Sequence, residues 1–349
     1  MDLRECGRSG LKLPVLGLGC WAFGGGEYWG ERHVQSEVDA VVRRAFDLGV
    51  RYFDTAEVYN GGRSEASLGE ALRGLPRDQV LVGTKVSPAC VQPDVLPQRC
   101  EASLRRLGTD SIDVYMVHWP ITPRSIRHFD ARPEVCPAVD DAFASLLRLQ
   151  EQGKVRYLGV SNFGRSRLQE ALRHCPGLAV NELPYNLLSR AIECEALDTC
   201  RELGVGTIGY MALLQGVLTD LYPTLDDVPS WQRRTRHFDA RRTVEARHGT
   251  AGEEDATRKA LSDLRSFCRD TGRTLSDLAL AWAVANPGVA CTLVGSRSTD
   301  KLEANVRAVE RRPLEPEVVA RLDAITDPLK QRLGPSFDYY ESPENDRTR

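Results

Sequence analysis

Ten cysteines occur in this 349-residue chain without one C-x-x-C pair, and six histidines without one H-x-x-x-H pattern. Paired zinc ligands and a thioredoxin-like redox motif are therefore absent from the local sequence, and no metal site is expected. The cysteines read as reduced, mostly buried thiols, because a chain of this length builds a core without covalent staples. Excess charge of either sign is also missing. The formal net charge is -3, which provides no basic field for a nucleic-acid backbone or an anionic membrane surface. No apolar run approaches the roughly 20 residues of a membrane-crossing helix. Met1–Glu5 runs directly into turn residues with no secretory h-region, so a cytoplasmic location is expected.

What is present is the composition of a globular protein, 42% hydrophobic and 27% charged, arranged in a repeating pattern. Leu3–Cys6 and Leu11–Leu13 flank Gly7-Arg8-Ser9-Gly10 as a β-hairpin. Short strands are expected at Val15–Leu18, Val50–Phe53, Val80–Thr84, Ile112–Val117, Val155–Val160, Leu178–Asn181, Val205–Tyr210 and Cys291–Val294. Between them lie helical periodicities at Ser36–Leu48 (Ser36 as N-cap), Ser64–Leu72, Pro93–Leu107, Asp140–Gln150, Ser166–His174, Cys194–Leu203, Asp255–Thr271 and Leu275–Ala285. Thr299–Val309 follows the last strand. Eight strands alternating with helices imply parallel strands joined by right-handed crossovers, and at this length a closed α/β (β/α)8 TIM barrel. The barrel spans about residues 11–312, and 313–349 is a C-terminal helix (Pro316–Ile325) and a tail whose last residues are expected to be mobile. The whole chain reads as one domain. Two long polar segments interrupt the alternation, Ile121–Pro137 and Thr219–Glu254. The second carries Arg233, Arg234, Arg236, Arg241, Arg242 and Arg247, either as a solvated basic loop or as a flap over a phosphorylated ligand.

Chemistry in such a barrel gathers at the strand C-termini. Gly17-Leu18-Gly19-Cys20-Trp21-Ala22 satisfies a relaxed G-x-G-x-x-A fingerprint, but Phe23 and three glycines follow, so no helix N-terminus meets a pyrophosphate. The informative residues are Asp54, Lys85 and His118, each ending a consecutive strand, with Tyr59 in the loop after Asp54. A phenol of pKa about 10 is a weak donor at neutral pH. An adjacent ammonium stabilises its phenolate, a carboxylate holds the ammonium in place, and an imidazole orients an oxygen or relays a proton.

These residues sit within strings that together resemble the aldo-keto reductase family from Leu11 to about Val309. The strings are Arg51-Tyr52-Phe53-Asp54-Thr55-Ala56 with Tyr59, Gly83-Thr84-Lys85, His118-Trp119-Pro120, Gly159-Val160-Ser161-Asn162-Phe163, Tyr185-Asn186, and Gly295-Ser296-Arg297 with Asn305. The resemblance implies a catalytic tetrad of Asp54, Tyr59, Lys85 and His118, with Tyr59 as general acid in reduction. It also implies NADP(H) laid across the strand ends. Ser161 and Asn162 would hold the carboxamide, Tyr210 would stack on the nicotinamide, Gly216 and Leu218 would pass near the pyrophosphate, and Ala212 and Leu213 would also contact the cofactor. Gly19, Cys20, Trp21 and Asp54 would also border the cofactor. Gly295, Ser296, Arg297, Lys301 and Asn305 would hold the adenosine end, two cations and a hydroxyl at a helix start suiting a 2′-phosphate.

The chain departs from the family pattern twice. Glu182 stands where the family usually has glutamine, and a carboxylate only accepts where an amide also donates. Ala304 stands where an acidic residue commonly reaches the adenine. Trp21, Tyr28, Trp29, Tyr59, His118 and Trp119 are expected around a small carbonyl or alcohol substrate. The leading expectation is an NADPH-dependent reductase of aldehydes, ketones or sugars, or the reverse oxidation. The alternatives are a nicotinamide-binding regulatory subunit with little or no turnover, and a barrel lyase or isomerase using Lys85 as a Schiff base.

Overall fold

The computed structural model describes residues 1–26, 33–129, 136–311 and 313–349. A two-stranded antiparallel hairpin, β1 (Leu3–Glu5) and β2 (Lys12–Pro14), precedes the barrel. The barrel strands are β3 (Leu16–Gly19), β4 (Tyr52–Asp54), β5 (Leu81–Val86), β6 (Ile112–Val117), β7 (Val155–Ser161), β8 (Val180–Pro184), β9 (Gly206–Tyr210) and β10 (Cys291–Gly295). They pair in parallel in chain order, and β10 closes back onto β3. Helices α1 (Gln35–Asp47), α2 (Arg63–Ala71), α3 (Leu96–Leu107), the short α4 (Pro123–Ile126), α5 (Val139–Glu151), α6 (Arg165–His174), α7 (Ala196–Leu203), α8 (Glu254–Thr271), α9 (Leu275–Ala285) and α10 (Thr299–Glu310) accompany them, followed by α11 (Pro316–Leu333). The (β/α)8 barrel with an N-terminal hairpin and a C-terminal helix is thus the fold of this chain. Among the described residues no helix is long and apolar enough to cross a membrane.

The period of two along each strand divides the apolar residues into two cores. Tyr52, Val114, Met116, Val180, Ile208, Cys291 and Leu293 fill the barrel interior, and Leu11, Leu13 and Cys6 of the hairpin region pack against them from below. Phe53, Val82, Tyr115, Val117, Leu158, Val160 and Leu183 face outward into the helical layer. Interior filling demands small residues opposite large ones. A Cβ on Gly83 would stand 2.2 Å from the Tyr52 hydroxyl, so the Tyr52 ring occupies the space that Gly83 leaves.

Helix boundaries follow local chemistry with small offsets. Gly108 closes α3 in the left-handed conformation (φ +64°), as its position predicts. Ser36 is not the cap of α1; the helix begins at Gln35 behind Val34, which makes no side-chain cap. The C-terminal helix runs on past Ile325 through Pro328 to Leu333. Its buried stripe of Leu322, Thr326, Leu329 and Leu333 against the protein outweighs the amide hydrogen that Pro328 lacks.

The largest correction concerns the tail. Residues after Leu333 are docked, not free: Phe337, Asp338, Tyr339, Arg347 and Thr348 are buried. The Arg347 guanidinium donates to both carboxylate oxygens of Asp338 at 2.7 and 2.8 Å. Tyr339 accepts from the Ala191 amide at 3.0 Å, and the Gly164 amide donates to the Thr348 carbonyl at 2.9 Å. The arginine-rich segment between β9 and α8 is engaged with the protein itself. Arg236 donates to the Leu333 and Ser336 carbonyls at 2.6 Å, Arg247 pairs with Glu341, Arg241 with Asp239, and Arg242 with Asp226 and Glu254. Arg236 is thus fixed inside the protein, while Arg241, Arg242 and Arg247 are exposed and held in surface ion pairs.

Asp338 is fully buried, so Asp338→Ala strands a buried Arg347 cation. A loss of about 3–5 kcal/mol is expected in denaturant unfolding, with the C-terminal residues becoming accessible to carboxypeptidase. A tail that stays resistant would contradict the clasp.

Candidate active site

The inward alternation of every strand ends at the barrel's C-terminal rim, and the last inward positions define the site. On β4 Tyr52 faces the interior and Phe53 the helices, so Asp54 faces inward again. The register then aligns Gly19 with Asp54, and Asp54 with Gly83, two residues before Lys85. On β6 Val114 and Met116 face inward, and His118 follows them by two. Ser161 pairs with Glu182, and Pro184 with Tyr210. Strand period and register therefore assemble Gly19, Asp54, Lys85, His118, Ser161, Glu182, Tyr210 and Gly295 as one ring.

Lys85 is the centre of that ring and is completely buried. Its ammonium donates to Asp54 Oδ1 at 2.5 Å and to the Thr55 carbonyl at 3.0 Å, and it lies 3.2 Å from Glu182 Oε1. Burial alone would strip the proton from Lys85, but Asp54 and Glu182 reverse this and raise its pKa. A nucleophilic amine needs the opposite, which removes the basis for the Schiff-base reading. Burial raises the Asp54 carboxyl against the pull of Lys85. Burial and then the neighbouring Asp54 charge raise Glu182 well above the carboxylate range.

The Tyr59 ring lies 5.4 Å from the Lys85 ammonium, 5.6 Å edge-on from the His118 ring and 6.1 Å from the Trp21 ring. Its phenol is nonetheless shifted upward. Burial is the largest cause; Lys85 acts the other way, while Asp54, Glu182 and Tyr340 add to the rise. The expected lowering by Lys85 is present but outweighed by burial, to which the two carboxyl groups add. His118 is held well below the usual imidazole range by burial, then by Lys85 and Arg347. Its Nδ1 is buried with no hydrogen-bond partner.

Around this cluster the proposed cofactor residues divide. Asn162 adopts a left-handed backbone (φ +66°) and accepts from the Tyr210 hydroxyl at 2.8 Å, while its amide donates to the His118 carbonyl at 3.1 Å and to Ser161 Oγ at 3.0 Å. Ser161, Asn162 and Tyr210 thus form one polar patch against His118. Cys20 contributes backbone only: its amide donates to the Asp54 carbonyl at 2.8 Å, and its thiol is buried near the Leu18 carbonyl. Met211, Leu214 and Gln215 all carry positive φ in the turn that includes Ala212, Leu213, Gly216 and Leu218. Backbone strain of about 1–3 kcal/mol per residue clusters where a loop is held for a function. Across the rim, Arg297 and Lys301 are exposed at the start of α10 and make no ion pair among the described residues, beside buried Ser296 and Asn305. A small cleft next to Ser296 and Arg297 is walled by Phe23, Val34, Val38 and Val41. A larger groove of about 980 Å³ lies outside the barrel between α8 and α11, away from every rim residue. The uncommitted Arg297 and Lys301, the strained turn and the orphaned His118 Nδ1 fit a long polar ligand with an anionic end.

The wall beside Trp21 and Trp119 contains residues that no strand-end motif marked. Arg347 stacks 3.7 Å from the Trp119 ring centroid, so Trp119 is a covered wall, only 8% exposed. Arg234 lies 5.6 Å from both the Trp21 and Tyr340 rings, and Phe129 stands 5.8 Å from His118. None of these carries a local motif, since each reaches the mouth through a loop or the tail. Tyr28 and Trp29, expected here, lie outside the described residues.

With the geometry in place, comparison with known proteins is direct. The Aldo/keto reductase family pattern matches residues 15–327. The NADH-specific methylglyoxal reductase of Escherichia coli K12 is 30% identical over 87% of this chain and 92% of its own length. A probable voltage-gated potassium channel subunit beta from Oryza sativa subsp. japonica is 28% identical, covering 95% of this chain and 98% of its own. An aldo-keto reductase from Klebsiella pneumoniae in complex with NADPH superposes with a TM-score of 0.69 at 25% identity, covering 99% of both chains. This chain belongs to the aldo/keto reductase family.

Proposed function

We propose that this protein is an NADPH-dependent carbonyl reductase in which Tyr59 is the proton donor. The observation that carries the reading is the buried Lys85 ammonium, fixed by Asp54, with Tyr59 and His118 beside it on one rim. When bound, the nicotinamide supplies a hydride to a carbonyl carbon. Tyr59 transfers its proton to the carbonyl oxygen as negative charge develops there. Lys85 stabilises the phenolate left behind, and Asp54 keeps Lys85 charged and in place. His118, neutral in its buried position, orients the same oxygen with a single N–H. Asp54, Tyr59, Lys85 and His118 are the residues assigned to the chemistry. Ser161, Asn162 and Tyr210 are assigned to the carboxamide and ring, and Gly216 and Leu218 to the pyrophosphate.

The preference for NADP(H) over NAD(H) rests on Arg297 and Lys301 next to Ser296. An exposed guanidinium without an internal partner is suited to a 2′-phosphate. A related reductase carries the description NADH-specific, so the choice rests on this chain's own cations. The similarity to a channel beta subunit favours the second reading, a cofactor-binding regulatory protein. A stable NADPH complex with no turnover on any aldehyde, ketone or sugar would select it.

Tyr59→Phe is expected to lower kcat about 10²–10⁴-fold, the contribution of a positioned general acid, while NADPH binding by fluorescence titration stays unchanged. Unaltered turnover would remove Tyr59 from the mechanism. Arg297→Ala is expected to raise KM for NADPH about 10-fold or more, from loss of a charge-assisted hydrogen bond, and to leave KM for NADH unchanged. Equal effects on the two cofactors would remove the phosphate contact. His118 is expected to show no imidazole titration by NMR between about pH 5 and 8, where a free imidazole titrates near 6.5. Acidification below about pH 6.5 then costs folding free energy progressively, because the unfolded imidazole binds a proton that the folded one refuses.

A further inference from the structure

Two carboxyl groups compete for one lysine at the centre of this site. Lys85 has three N–H donors. One donates to Asp54 Oδ1, one to the Thr55 carbonyl, and the third faces Glu182 Oε1 at 3.2 Å. That leaves Asp54 Oδ2 and Glu182 Oε2, both buried and neither with a hydrogen-bond partner among the described residues. Two ionised carboxylates here would place two orphaned anionic oxygens in a dry pocket and leave the cluster with an excess negative charge. Buried unsatisfied charge of this kind is among the least favourable arrangements in a protein interior. The Asp54 and Glu182 side chains are within hydrogen-bonding reach of one another. The buried Tyr52 hydroxyl, also without a partner, is one donor available to Asp54; a single proton held between the two carboxyl groups that flank Lys85 removes the excess charge and supplies the other.

We propose that Asp54 and Glu182 share one proton beside Lys85, so that Glu182 is a carboxylic acid at neutral pH and a positioning residue of the site. The shared proton makes the Asp54–Lys85–Glu182 cluster electrically neutral overall. A carboxylic acid also both donates and accepts, as the amide of the family's usual glutamine does, so the departure at Glu182 preserves the hydrogen-bonding character of that position. Two carboxyl groups in one buried site titrate as a pair, and the second proton is released at a pH raised above the ordinary carboxylate value.

The other titratable groups facing Glu182 are Tyr52 on β4, Tyr59 after β4, Tyr210 on β9 and Cys291 on β10. Burial raises all of them, so none carries a compensating positive charge. Lys85 is the cation that acts on the pair. The sign of the linkage follows. A carboxyl whose folded pKa lies above its unfolded value contributes fully to stability below the unfolded pKa, and the contribution is lost as pH rises toward the folded one. Glu182 should therefore lower wild-type stability progressively above about pH 4.5 relative to a neutral isostere.

The test uses purified protein without ligand, so its outcome is separate from whether the protein reduces carbonyls. Glu182→Gln is expected to melt at a higher temperature than wild type near neutral pH, with the gap closing toward about pH 4. An ionised Glu182 acting as a salt-bridge partner of Lys85 predicts the reverse, so a lower melting temperature or failure to fold would overturn the proposal. Infrared difference spectra of wild type against Glu182→Gln should show a protonated-carboxyl C=O band at neutral pH. That band should shift on ¹³C labelling of glutamate or aspartate and disappear when the pH is raised. Carboxylate bands alone at neutral pH would overturn it.

Discussion

A lysine ammonium with no solvent exposure is the constraint around which this protein is arranged. Lys85 remains charged because the barrel end sets the Asp54 carboxyl on β4 against it, with the Glu182 carboxyl approaching from β8. In water such pairs contribute little, but in a closed and poorly hydrated barrel end both the desolvation cost and the attraction grow. The strands must therefore hold their register closely. A slip of one residue on β4 or β5 would turn Asp54 or Lys85 outward into the helical layer and leave its partner buried alone.

The same electrostatics governs the neighbours. Tyr59 and His118 are both kept in their neutral forms, the phenol by burial and nearby carboxyl groups, the imidazole by burial and two cations. A neutral phenol beside a charged lysine is the arrangement a proton donor needs before reaction, since the lysine acts only when negative charge forms on the oxygen. The strained turn around Met211–Gly216 and the left-handed Asn162 border this cluster. Both are backbone conformations held in place by the surrounding fold.

The opposite wall of the mouth has a different origin. Arg347, Tyr340, Arg234 and Phe129 arrive from the tail and the two long loops. The Asp338–Arg347 pair and the Arg236 contacts to carbonyls after α11 fasten these pieces to the barrel. A tail rich in polar residues looked mobile from composition. It is ordered by partners located up to 222 residues away in the chain, such as Arg124 on the Asp346 carbonyl.

Sequence alone determined the barrel, the hairpin, and Asp54, Lys85 and His118 as strand-end residues. Those features follow from periods of two and 3.6 and from glycine stops, which are local properties of the chain. It also pointed to Tyr59, Ser161, Asn162 and Tyr210 through short strings at fixed distances from those ends. Only the tertiary structure decided that Glu182 shares Lys85 with Asp54, that burial outweighs Lys85 at the Tyr59 phenol, and that Arg347 covers Trp119. The physical reason is common to all three. Desolvation and charge pairing depend on which residues meet across the barrel, and residue 182, four strands away from 54, carries no mark of that meeting until the sheet closes.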